Sequence, residues 1–266
     1  MKAIVDIGNT KTKVGVFDGK ALLEVRAYRF WRAADWQALR RDYPIDGGLL
    51  CTVSGCPDWA QDFRNEAGFV CWDRFRPDWR LPVRCRYDLA TLGRDRIAIG
   101  AALQYLYPGQ TVLGIGLGTC ITYNLMRADG WLEPGAIAPG VYMRGRAMHE
   151  FTYALPQVTF NGTDTGITPS APPDPAAGFG PSAQSARALN PTHIQDTESA
   201  LRAGVLAGVR FELEGFIECY RRENGAVPVV LAGGDTGYFE FSTKKGIFAN
   251  PNLGLVGLNE ILDFNQ

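Results

Sequence analysis

"LGIGLGTCITYN", Leu113 to Asn124, repeats a pattern that "IVDIGNTKTKVGV", Ile4 to Val16, has already set. Each opens on an apolar run, turns through glycine and threonine, and continues as a strand of alternating residues. Gly116 falls where the first copy has Asp6. Turns of this kind present backbone N–H groups to phosphate oxygens. Two of them in one chain predict a nucleotide held between two similar halves, one of which has lost its acid.

Working outward from these turns, the first half reads as three consecutive strands, "KAIVDIG", "TKVGVFDG" and "KALLEVRAYRF", with Asp18-Gly19 as a hairpin turn. A helix around Trp36, Leu39 and Tyr43 follows, then the apolar strand "GGLLCTVSG". A second helix is expected from Pro57 to Ala67 and a strand at "FVCW". A longer helix follows Gly93, with Ile97, Ala101 and Tyr105 on one face and a stop at Pro108-Gly109. The second half begins alike, with "TVLGIGLG", "CITYNLM" and "GWLEPGAIA" as strands and Asp129-Gly130 as a turn. A helix is expected from Val141 towards Phe151. The segment from Thr159 to Pro191, rich in Gly, Pro, Ala, Ser and Thr, reads as a loop insertion. Asp196-Thr197-Glu198 caps a long helix ending at Asn224-Gly225. A buried strand, "VPVVLAGGD", a short helix and a C-terminal helix around Leu258 to Leu262 complete the pattern. The fold class is therefore α/β: tandem ribonuclease H-like halves, residues 1–109 and 110–266, with an interdomain cleft.

Composition excludes several function classes. Of 266 residues, 46% are hydrophobic and 21% charged, a globular balance. With 27 Lys+Arg against 28 Asp+Glu, charge gives no reason to expect nucleic acid or an anionic membrane as partner. Asp6 interrupts the first apolar run too early for a signal peptide, and no apolar run is long enough to span a bilayer. The expectation is a soluble, cytoplasmic protein. The six cysteines are scattered without a C-x-x-C pair, and only His149 and His193 could join them, so they read as buried reduced thiols and not as a zinc site.

Three places carry chemistry. Asp6-Ile7-Gly8-Asn9-Thr10 offers backbone and hydroxyl groups to phosphates, a carboxylate for Mg²⁺, and Lys13 nearby as a cation. The same residues also suit a solvated hairpin turn. Gly233-Gly234, after "VVLA", lets a nucleotide approach the backbone, or serves as an ordinary strand-to-helix turn. Asp95 and Arg96, at a glycine turn opening a helix, suit a substrate with a carboxylate for the guanidinium and a hydroxyl whose proton the acid takes. A helix cap with a neighbouring ion pair is the plainer account of that turn.

In order, these motifs resemble the type III pantothenate kinases, within the acetate and sugar kinase/Hsp70/actin superfamily. The resemblance is carried by D-I-G-N-T at 6–10, G-R-D-R at 93–96, G-T-C-I-T-Y-N at 118–124, G-A-I-A-P-G at 135–140, D-T at 196–197, A-G-G-D at 232–235 and G-L-N at 257–259. It implies ATP-dependent phosphorylation of pantothenate to 4′-phosphopantothenate, the first step of coenzyme A synthesis, by a homodimer using Mg²⁺ and a monovalent cation, K⁺ or NH₄⁺. It implies ATP contacts at Asp6, Ile7, Gly8, Asn9, Thr10, Lys11, Thr12, Lys13, Thr119, Gly233 and Gly234. Pantothenate would lie against Tyr87, Gly93, Arg94, Asp95, Arg96 and Thr197, with Asp95 as general base and Asp6 on Mg²⁺. Gly116 stands where the family places its cation-binding Asp, Asn124 where it has Asp, and Arg94 where it has Ala. The loss of two acids favours a catalytically weakened regulatory relative as the alternative; a ribonuclease H-type nuclease lacks its carboxylate cluster here.

Overall fold

The computed structural model describes residues 1–52, 60, 68–73, 76, 78–160, 194–239, 241 and 246–266. The expected helix over Pro57–Ala67 and nearly all of the expected insertion over Thr159–Pro191 lie outside them. So do Cys56 and His193.

The first sheet is built from β1 (Lys2–Ile7), β2 (Thr12–Asp18), β3 (Ala21–Tyr28), β4 (Gly47–Thr52) and β5 (Phe69–Trp72), in the order β3-β2-β1-β4-β5. β1 and β2 are antiparallel, pairing Asp6 with Lys13, while β1 and β4 run parallel, pairing Asp6 with Cys51 and Ile7 with Thr52. Gly19 takes a positive φ of 55°, as the Asp18-Gly19 turn requires. Central strands covered on both faces read as continuous apolar runs, and Ala3, Ile4, Val5, Leu49 and Leu50 are all fully buried. Helix α1 (Ala33–Asp42) closes one face through Leu39 and an edge-to-face series, Trp31 on Trp36 at 5.8 Å and Trp36 on Phe69 at 5.5 Å.

The second sheet contains β6 (Arg84–Cys85), β7 (Val112–Leu117), β8 (Cys120–Met126), β9 (Trp131–Pro139), β10 (Val229–Ala232) and β11 (Ile247–Ala249), in the order β11-β10-β7-β8-β9-β6. Leaving aside the two-residue β6, its order from β9 to β11 reproduces that of the first sheet. Three sequential strands lie side by side, then two further strands continue parallel to the first of them. The repeat noticed in the sequence is thus a repeat of topology. The strands β6 and β11, two and three residues long, have no counterpart in the sequence reading.

Among the described residues the remaining helices are α2 (Arg94–Leu106), α3 (Val141–Glu150), α4 (Thr197–Asn224), a 3₁₀ turn at Thr236–Tyr238, and α5 (Leu253–Asp263). Asp196 is the N-cap of α4, accepting from the Ser199 N–H at 2.7 Å, and Gly225 ends that helix at φ 77°. Two compact units divide the chain. One comprises Met1–Gln110, Asn124–Pro134 and Asn252–Gln266; the other comprises Thr111–Tyr123 and Gly135–Pro251. Within the first unit, α2 and α5 meet backbone to backbone, since a Cβ at Gly257 would overlap the Ala98 carbonyl. Lys20 ties α5 to the sheet through Glu260 at 2.6 Å and Asp263 at 3.0 Å. No helix among the described residues is long and apolar enough to cross a membrane.

Candidate active site

The first unit gathers most of the residues singled out in the sequence. Asp6 lies one residue from the carboxyl end of β1, beside the carboxyl end of the parallel β4. Ligands of open α/β sheets bind at such strand ends. The turn that follows is closed by the Gly8 N–H donating to the Lys11 carbonyl at 3.2 Å. It leaves Asn9, Thr10 and Lys11 exposed, Ile7 and Gly8 half-buried, and turns Thr12 inward. Burial pushes the Asp6 carboxyl up to about 6; Lys13, opposite it on β2, opposes this and the negative charge of Asp95 adds to it. Asp6 and Asp95 are therefore close enough for their charges to interact.

Asp95 stands in the first turn of α2, whose N-cap is Gly93. It is an exposed side chain folded back over that glycine, so that a Cβ at position 93 would overlap its carboxylate oxygen. Gly93 caps the helix without a side chain, and Asp95 is not the cap. The next residue differs in kind. Arg96 is only 4% exposed, and its Nε donates to Asn124 Oδ1 at 2.7 Å. Arg94 reaches to the end of β4, where its Nη2 donates to the Thr52 carbonyl. Its guanidinium also bonds the Cys51 thiol, whose pKa burial pushes well above the usual thiol range. Tyr87 is exposed, on the segment after β6.

Asn124 and the Arg94–Thr52 contact are the site-building relations that reading the sequence did not find. A single signal for the first was present: Asn124, wholly buried, interrupts the apolar end of "CITYNLM". A buried amide requires a partner.

The second unit holds the other candidates. Thr119 forms the β7–β8 turn, its carbonyl accepting from Gly140 N at 3.0 Å. Gly116 lies in β7 opposite Ala232 of β10. Gly233 takes φ 100° and presses so near Leu117 that any side chain would overlap its carbonyl, while Gly234 has open space about it. Thr197 is the exposed first residue of α4.

A divalent ion that travels with nucleotide needs only one or two carboxylates besides the phosphates. Asp6 fits that part, because a cation beside it would relieve a carboxylate that burial drives towards neutrality. No group of three or more His, Cys, Asp or Glu side chains that could hold a metal ion occurs among the described residues.

Tandem ribonuclease H-like units with an acid near the end of the first strand define the actin-like fold class. The Clostridium difficile activator of 2-hydroxyisocaproyl-CoA dehydratase, solved with bound ADPNP, shares this fold at TM-score 0.52 and 10% identity, covering 98% of this chain and 94% of its own. A Baf-family protein of Campylobacter jejuni, described as a transcriptional activator, aligns at TM-score 0.51 and 16% identity over 98% and 97%. The family profile described as type III pantothenate kinase matches residues 3–219. The type III pantothenate kinases of Phocaeicola vulgatus and Bacteroides fragilis are 33% and 34% identical to the chain, over 100% of it and 99% of their own lengths. The chain belongs to the type III pantothenate kinase family.

Proposed function

We propose that this protein transfers the γ-phosphoryl group of ATP to the primary hydroxyl of pantothenate. The observation that carries this reading is the placement of Asp6 near the end of β1 and of Asp95 in the first turn of α2, in a chain that matches its relatives from end to end. Asp95, exposed and held back over Gly93, takes the hydroxyl proton as the substrate oxygen attacks the γ-phosphorus and the bond to the β,γ-bridging oxygen breaks. The turn from Asp6 to Lys13 cradles the phosphates. A divalent cation bound with the nucleotide supplies neutralisation of phosphate charge, and Asp6 is the residue we assign to it. On the second unit we assign nucleotide contacts to Thr119, Gly233 and Gly234.

Pantothenate is assigned to Tyr87, Gly93, Arg94, Asp95, Arg96 and Thr197. Arg96 supports its place there because its Nε is held by Asn124, a neutral amide that orients the guanidinium without itself carrying charge. The regulatory alternative loses part of its ground for the same reason, since Asn124 has a defined partner in the site. Ile137, Tyr142, Phe151 and Phe211 of the second unit are exposed, and we assign them to a homodimer contact. A cytoplasmic enzyme supplying coenzyme A synthesis follows from this reading. Incubating the protein with pantothenate, ATP and Mg²⁺ should give 4′-phosphopantothenate by mass spectrometry; intact substrate would refute it.

A further inference from the structure

Arg94 links the start of α2 to the end of β4. Among the described residues no carboxylate lies within ion-pair distance of it, although it is flanked in sequence by Gly93 and Asp95. Its partners among the described residues are neutral: the Thr52 carbonyl and the Cys51 thiol, both at the carboxyl end of β4. Its Nε is buried and has no hydrogen-bond partner among the described residues. A buried donor left in this state is unfavourable for folding and calls for another reason to exist. β4 lies parallel to β1, with Cys51 opposite Asp6 and Thr52 opposite Ile7. The guanidinium therefore bridges the helix start that bears Asp95 to the strand end beside Asp6.

We propose that Arg94 is a positioning residue of the phosphoryl-transfer site, which fastens the Asp95 turn to the strand ends beside Asp6 and directs an unneutralised positive charge at the phosphates of bound nucleotide. This rests on the kinase reading above for its turnover consequence, but not for its effect on nucleotide affinity. The fastening fixes where the proton acceptor stands relative to the phosphate turn; misplacement of about 1 Å at such a centre lowers turnover by about a hundredfold. The charge acts on the β- and γ-phosphates and not on the adenosine.

The test uses the full chain with R94Q and R94K. R94Q keeps polar reach but not charge; R94K keeps charge but can satisfy only one of the two acceptors at a time. Turnover and KM are measured for pantothenate and ATP, and calorimetry compares a non-hydrolysable ATP analogue with AMP. R94Q should lower kcat by about ten- to a hundredfold, and the KM for pantothenate should rise with it, since Arg94 is also assigned to that substrate. It should also weaken the ATP analogue while leaving AMP unchanged. R94K should recover affinity for the analogue more fully than kcat. Wild-type kcat and analogue affinity in R94Q would overturn the proposal, as would an equal loss for AMP and analogue with a lowered melting temperature, the mark of a purely structural strut. Should the wild-type protein fail to phosphorylate pantothenate, the kinase reading falls, and the analogue-to-AMP comparison still decides the role of the charge.

Discussion

Arg96 donates from Nε to the amide oxygen of Asn124 at 2.7 Å, with both side chains buried. A guanidinium in that position is oriented by a neutral partner. Asn124→Ala would leave a buried donor without this acceptor, a loss of about 1–3 kcal/mol in stability, and should raise the KM for pantothenate. Asn124→Asp should keep or raise the melting temperature, because it completes an ion pair, yet still raise that KM by competing with the substrate carboxylate. Unchanged KM in both variants would remove Arg96 from substrate recognition.

Asp95 is exposed where Asp6 is half-buried, as a group that must meet a substrate hydroxyl requires. Asp95→Asn should lower kcat by about 10²–10⁴-fold, the usual range for loss of a general base, while nucleotide affinity measured by calorimetry changes little. Near-normal turnover in this variant would show that another group takes the proton.

Asp6 makes stability depend on pH in an unusual direction. Its carboxyl titrates near 6 in the folded protein against 3.8 for the free side chain. Between those values the folded state binds more protons than the unfolded one, so stability falls as pH rises through the window. Below it, both states hold the proton and Asp6 is neutral to the balance. Above it, the ionised buried carboxylate opposes folding by up to about 3 kcal/mol. Asp6→Asn should therefore raise the melting temperature of the ligand-free protein at pH 7.5 and leave it nearly unchanged at pH 4, while weakening Mg²⁺-dependent nucleotide binding. Equal shifts at both pH values would point to a packing effect.

Gly116 in β7 brings no side-chain oxygen to a cation, where the resembled family has an acid. Backbone carbonyls and water alone make a weak site for a hard ion. Turnover in Tris buffer should be the same with and without KCl or NH₄Cl at matched ionic strength. Gly116→Asp should introduce K⁺ dependence. Strong K⁺ activation of the unaltered protein would mean that the site does not need that acid.

The parts of the fold that were legible in the sequence are those whose physics is local. Alternation and the two Asp-Gly turns located the three-strand openings of both halves, and Asp196-Thr197-Glu198 set the start of α4 within one turn of chain. β6 and β11 escaped because two or three residues hold no period, and α5 begins at Leu253, before the expected Leu258, because its first turn has no side-chain cap to mark it. The acids and glycines of the site were visible as motifs. What holds them was not: Arg96 to Asn124 spans 28 positions and Arg94 to Thr52 spans 42. Such pairings are fixed by how β4, β8 and α2 pack, and no spacing rule along the chain encodes them.

The close contact of Gly257 with Ala98 has a consequence for the order of synthesis. Helix α5 completes the first unit, yet its residues are made only after the whole segment Gly135–Pro251 of the second unit. At translation rates of about 5–20 residues per second, the opening strands and α2 wait on the order of ten seconds for their covering helix. During that interval the face of α2 that bears Ala98 stands without α5. The first unit can then lock only once α5 has emerged, around a glycine that no larger residue can replace.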